Sequence, residues 1–305
     1  MTLEYTDLAS YLALDPAQFI GIPIALVGAV FMSFGAQYQH RGVTKVEANT
    51  TQIGNGGLNL TQLALLLRRP SWVFGTLMLG LAIVFQLVAL VFSPLVVVQP
   101  LGAVALVITT ILNARITHVK PTGRSLIAIC LCVGGVGAFV AIAAFTTRNV
   151  PVTESELITI LVILASVLVV FALVFGLLRN RFKAIVYVVG AGVLYGFVAT
   201  LAKVVIARVQ QGEFDWLTVV CIVGLLAAVG LGAFFVQNAY SSGPPDLVIA
   251  GLTVIDPMVA VAIGILVLHE AAEAPLWAAI AFVITGVVAI VGVFMLARYH
   301  PQAEV

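Results

Sequence analysis

Nine runs of 22 to 25 residues, each almost free of charge, divide this chain into apolar stretches joined by short charged connections. They cover approximately 18–39, 71–93, 94–116, 124–146, 157–178, 184–208, 216–240, 246–268 and 275–297. About 20 apolar residues in helical form cross the hydrocarbon core of a bilayer. Within lipid only helices or closed barrels satisfy their own backbone, and runs of this length read as helices. Composition agrees: 62% of the 305 residues are hydrophobic and 9% are charged. A soluble domain holds roughly 45–50% apolar and about 25% charged residues. The expected fold is an all-α polytopic membrane protein of about nine transmembrane helices. A tenth apolar segment, residues 60–67, is too short to cross and is followed by Arg68, Arg69 and Pro70, so it reads as an interfacial helix.

The connections orient the bundle. Arg41, Lys45, Arg68, Arg69, Arg115, Lys120, Arg124, Arg179, Arg181, Lys183 and Arg298 fall on one side of a nine-span arrangement. Arg148 and Arg208 fall on the other, with Glu4, Asp7, Asp15, Glu154, Glu156, Glu213, Asp215, Glu270 and Glu273. Basic residues gather on the cytoplasmic side of membrane proteins. The expectation is a protein of the plasma (cytoplasmic) membrane with its N-terminus outside and its C-terminus inside. The first eighteen residues carry acids and no Lys or Arg, so no cleavable signal peptide is expected.

Several classes are disfavoured. A net charge of +1 without a basic patch speaks against nucleic acid. The three cysteines, Cys130, Cys132 and Cys221, sit inside apolar runs and form no CxxC, so they read as small core residues. The histidines His40, His118, His269 and His300 lie at helix ends or in loops without ligand spacing. No GxSxG, HExxH or Walker motif is present. No enzyme activity and no cofactor are expected.

An internal repeat points elsewhere. SPLVVVQPLGAVALVITTILNAR in the first half parallels PPDLVIAGLTVIDPMVAVAIGILVLHE in the second, and each is followed by a glycine-bearing apolar run. Each holds a polar residue directly before a mid-helix proline, Gln99-Pro100 and Asp256-Pro257. The loop charges run the first of these helices inward and the second outward, so the repeat is inverted, as in many secondary transporters. The expected organisation is a first repeat over 1–150, with four spans and the interfacial segment, and a second over 151–305 with five spans.

Two formal charges lie within the central stretches, Asp256 and Lys203. A carboxylate near the bilayer centre costs at least about 2.5–3.5 kcal/mol on insertion scales, so it faces a cavity or a partner. Pro257 removes a backbone N–H and frees a carbonyl near Thr253. Asp256 is therefore expected to bind a cation or carry a proton, against the alternative of an interhelical hydrogen bond. Lys203 either snorkels to the interface, forms a switchable pair with Asp256 or meets an anionic substrate. Gln99, Gln86, Gln237, Asn238, Tyr195 and Thr253 complete the candidate substrate-binding set, and Asp256 is also the candidate metal ligand. Gly192, Gly196, Gly134, Gly135 and Gly137 suit close helix contact.

At these residues the chain resembles the drug/metabolite transporter superfamily of EamA-like units. That family places a Glu thirteen residues after the proline of its penultimate helix, as Pro257 and Glu270 are placed here. Pro100 has Asn113 at that spacing, so the first half lacks the acid. Within the superfamily the likeness is greatest to NIPA-type magnesium transporters, whose first repeat has an Ala, a Pro five residues on and a T-P-L-G-A run. Ala89, Pro94 and Gln99-Pro100-Leu101-Gly102-Ala103 match that register with Gln for Thr, and Asn238 fits the second repeat. The resemblance implies a nine-helix transporter.

The expected function is secondary transport of a small solute or cation by alternating access, with magnesium or a polar metabolite or drug as cargo. The alternative is a non-transporting accessory subunit of an envelope-lipid or sugar-transfer complex. Expected partners are the solute or cation, the lipid bilayer and at most a second copy of the chain as a homodimer.

Overall fold

The computed structural model describes residues 16–47, 68–117, 122–178, 184–242 and 245–298. The segment 60–67 lies outside them. After a 3-10 turn at Pro16–Phe19 come ten α-helices: α1 Gly21–Glu47, α2 Pro70–Phe92, α3 Leu95–Leu101, α4 Ala103–Thr117, α5 Gly123–Thr146, α6 Glu154–Leu178, α7 Ala184–Gln210, α8 Trp216–Ser242, α9 Pro245–Leu266 and α10 Leu276–Arg298. Helices α3 and α4 form one span broken at Gly102, so the described residues hold nine helical stretches long and apolar enough to cross a membrane. No strand occurs among them. This is the expected fold class.

Large side chains such as Leu77, Phe145, Val223, Leu226 and Val283 point outward, as lipid permits. The core is built instead on close backbone approach. Gly192 and Gly196 of α7 face Ile255 and Val259 of α9, and a Cβ on either glycine would lie 2.6 Å from its partner's Cβ. Removing the Cβ lets two backbones pack where no hydrophobic drive exists between lipid-solvated helices. Gly135 against Ala289 and Gly292 against Cys132 do the same for α5 and α10. Cys132 and Cys221 are buried, as expected, whereas Cys130 is exposed.

These contacts fix directions. Gly21 meets Ala89 while Gly35 meets Gly75, so α1 and α2 run antiparallel. Ser33 of α1 donates to Ala105 O of α4 at 2.8 Å, and Ser93, just before α3, bonds Gln18, just before α1, so α1 runs parallel to the α3–α4 span. In the second half α7 and α8 are antiparallel, with Gly190 on Phe235 and Tyr195 on Gly232. There α7 is parallel to α9, by the seam just described. Lys203, near the end of α7, reaches Leu90 and Ser93 at the end of α2. So α2 and α7 finish at the same face, and α1 and α7 run in opposite directions.

The helix ends follow local chemistry. Glu156 in the first turn of α6 accepts from Thr153 N–H at 2.8 Å, a side chain returning to the backbone ahead of its helix. Thr122 caps α5 by accepting from Ser125 N–H. Arg208 ends α7 and is held by Glu213 and, at 2.8 Å, by Asp215. The Thr218 N–H and hydroxyl, together with Arg208, keep the Asp215 carboxyl below its ordinary range. Arg148 pairs with Glu273 at 3.3 Å. Both arginines that depart from the one-sided charge pattern are thus neutralised on the spot.

Candidate functional site

The chain breaks its helical ladder between α2 and α3. Ser93 and Pro94 are extended there (ψ 152° and 151°), yet Ser93, Leu95 and Val96 are fully buried. A helix end leaves unpaired carbonyls and the next start leaves unpaired N–H groups, and in apolar surroundings each must find a partner. Two charged side chains supply them. Lys203 Nζ donates to Leu90 O at 2.7 Å, to Ser93 O at 3.0 Å and to Asn149 Oδ1 at 2.7 Å. Glu270 accepts from Leu95 N–H through Oε1 at 2.9 Å and from Val96 N–H through Oε2 at 3.0 Å. Asn149 Nδ2 donates to Phe92 O at 2.6 Å. Each charge also matches the sign of its helix end, cation on carbonyls and carboxylate on N–H groups.

Local structure aims Glu270 at this break. Helix α9 closes with Leu268 N–H on Ile263 O and Glu270 N–H on Gly264 O. His269 takes φ 54°, the left-handed region a non-glycine residue rarely enters. That single turn sends the Glu270 side chain inward, where it is 4% exposed. Burial pushes its carboxyl above the ordinary range, against Lys203 and the two N–H bonds that pull it down. Sequence reasoning placed Glu270 among loop acids. The spacing from Pro257 was the one signal that singled it out.

Lys203 is 6% exposed, so its amine turns into the bundle rather than snorkelling. Its hydrogen-bond partners are the three oxygens above and do not include Asp256. Asp256 stands instead mid-helix in α9, on the seam with α7. Its Oδ1 is buried with no hydrogen-bond partner. Tyr195 lies within its electrostatic reach, and Tyr240 within that of Tyr195.

The remaining candidates divide. Gln99 is buried in α3, which packs on α9. Thr253 spends its hydroxyl on Ile249 O of its own helix at 2.8 Å, and Asn238 its amide on Phe234 O at 2.7 Å. Gln86 is half-buried in α2, and Gln237 is exposed on α8. Of the uncharged polar candidates, Tyr195 is the one brought within electrostatic reach of Asp256 among the described residues. A cavity of about 100 Å³ lies at the two prolines, lined by apolar side chains and Thr253, including Pro100, Ala103, Pro257, Val261 and Ile290. It takes Pro100 and Pro257 but neither Gln99 nor Asp256 among its walls. Both prolines occupy that face, and the polar residue before each lies off it. No cluster of three or more His, Cys, Asp or Glu side chains suited to a metal occurs among the described residues.

The chain is 26% identical over 283 residues to an uncharacterized protein of Corynebacterium glutamicum, an alignment spanning 92% of this chain and 96% of the relative. It is 27% identical over 126 residues to the probable magnesium transporter NIPA4 of Arabidopsis thaliana, covering 41% of this chain and 35% of that protein. With NIPA7 of the same plant the identity is 29% over 93 residues, 30% of this chain and 27% of the relative. The chain thus spans little more than a third, at most, of the plant relatives it matches. No family model and no solved structure matches it. This distant homology links the chain to a family of transporters, and with nine apolar helical stretches among the described residues it is an integral membrane protein.

Proposed function

We propose that the chain is a secondary transporter that moves a small solute or cation across the cytoplasmic membrane by alternating access, with Asp256 as the group that binds the cation or carries the proton. One observation carries this reading. The buried charges Lys203 and Glu270 are fully bonded, while Asp256 keeps a buried carboxylate oxygen without a partner. An unpaired carboxylate in apolar surroundings is expensive, and a protein keeps one where it serves a ligand or a proton. Tyr195 is a neighbour able to donate to it, and Gln99 sits one residue before Pro100 as Asp256 does before Pro257.

An inverted repeat within the drug/metabolite transporter superfamily is part of the proposal. It is supported by the repeated pairings, α1 with α2 and with α3–α4, then α7 with α8 and with α9. The opposite directions of α1 and α7 support it too. On this reading α6 stands between two four-span units, where the sequence alone had placed it in the second. Opposed repeats meeting at mid-membrane are the architecture that rocks around a central site.

The plant relatives make magnesium the first cargo to test, alongside amino acids and cationic drugs. Magnesium dehydrates reluctantly and keeps several waters, so a single aspartate suits a hydrated ion better than a bare one. The test is gradient-driven uptake into proteoliposomes holding the purified protein. Uptake of one solute above protein-free liposomes is expected. Monodisperse protein that moves none of the panel would favour the accessory-subunit reading.

A further inference from the structure

We infer that Lys203, Asn149 and Glu270 form the gate that closes one end of this bundle, the end where α2 stops and α3 begins; the inference rests on the transporter reading for its role in a cycle. The closure is made of two bonded charges that join elements from distant parts of the chain. Lys203 comes from α7, Asn149 from the α5–α6 connection and Glu270 from the α9–α10 connection, and all three converge on the Ser93-Pro94 break. Glu270 is further tied to the α5–α6 connection by Arg148 N–H, which donates to Glu270 O at 2.9 Å. Gln18, ahead of α1, donates to Ala144 O at 3.0 Å and accepts from the Ser93 hydroxyl, so the first half is drawn in as well.

Three properties suit a gate rather than a static brace. The carbonyls of Leu90 and Ser93 and the N–H groups of Leu95 and Val96 are held by side chains from elsewhere, so these bonds can part without unwinding a helix. Pro94 has no N–H, and the two N–H groups after it are the ones Glu270 holds, so a single carboxylate satisfies both N–H groups of α3 that find no backbone partner. Lys203 and Glu270 stand in electrostatic contact through the break, so withdrawing one leaves the other an unpaired buried charge and favours joint release. The formed and released states of this closure are the bistable element that a conformational cycle needs.

The loop charges make this the outer end. Its release is tested by thiol labelling in a background where Cys130, Cys132 and Cys221 are replaced by alanine. Thr200→Cys places the probe on α7, buried, one turn deeper than Lys203 and on the same face. A cationic, membrane-impermeant methanethiosulfonate is added to intact cells and, separately, to inverted vesicles. Lys203→Met removes all three donor bonds while keeping the length. Glu270→Gln leaves one acceptor where two N–H groups need them. The gate predicts slow labelling in the parent and labelling at least about tenfold faster in both variants, from one side of the membrane only, as the released state gains population. Unchanged rates from both sides in correctly folded variants overturn it. Should either variant be lost to misfolding, Asn149→Ala, which removes one Lys203 bond and the bond to Phe92, decides by the same rate. Labelling requires no known cargo: faster labelling without any uptake keeps the gate and rejects transport, and uptake with unchanged labelling does the reverse.

Discussion

Of the places where this bundle buries charge, two treat it in opposite ways. At the α2–α3 break Lys203 makes three hydrogen bonds and both oxygens of Glu270 accept backbone N–H groups. On the α7–α9 seam Asp256 leaves Oδ1 buried and unbonded. The first region shows how a polytopic protein tolerates irregular backbone within its core, by importing counter-groups of the right sign to each helix end. The second shows a polar group that the fold does not satisfy. Glu270 has both carboxylate oxygens bonded, whereas Asp256, like the Arg208 Nε, keeps a buried polar atom without a partner.

If that contrast is sound, loss of stability and loss of solute binding should separate by region. The largest loss of stability is expected at the break. Lys203→Met strips donors from two carbonyls and Asn149 and leaves Glu270 without its cation, which should cost about 3–5 kcal/mol. Unfolding in mixed micelles under rising dodecyl sulfate measures it, and a loss below that of a surface substitution would erase the contrast. A smaller loss is expected on the seam. Gly196→Val drives a methyl group into Val259 and toward Asp256 O, an overpacking worth about 1–3 kcal/mol in the same titration. The smallest is expected where a hydroxyl serves only its own helix. Thr285 donates to Ala281 O within α10, and Thr285→Val should shift stability by no more than about 0.5 kcal/mol. A large effect there would mean that polar groups matter regardless of what they bond.

Much of the fold was legible because the membrane imposes it. Each apolar run became a crossing helix, with shifts such as α6 beginning at Glu154 rather than 157. The 94–116 run proved to be two helices broken at Gly102, beside the proline already singled out. The site was less legible, for a physical reason. Lys203 and Glu270 bind mainly backbone atoms, Leu90 O, Ser93 O, Leu95 N–H and Val96 N–H. Such partners carry no residue-type signature, so nothing in the sequence showed that the lysine and the glutamate belonged to one break. Gln237 was hard to place for another reason. Lipid is as apolar as a core, so α8 has no polar face against which to read direction. Its amide turned out to be exposed. Asp256 was legible because one acid in a long apolar run stands out wherever it points.

The account stands most directly on Asp256→Asn. Asparagine keeps the shape and the capacity to hydrogen-bond but removes the charge and the exchangeable proton. In proteoliposomes carrying a solute that the parent protein accumulates, the variant should fold as stably as the parent and lose gradient-driven uptake, falling at least about a hundredfold, to the level of protein-free liposomes. Uptake at the parent rate in a correctly folded Asp256→Asn protein would contradict the assignment and make the open carboxylate a structural group.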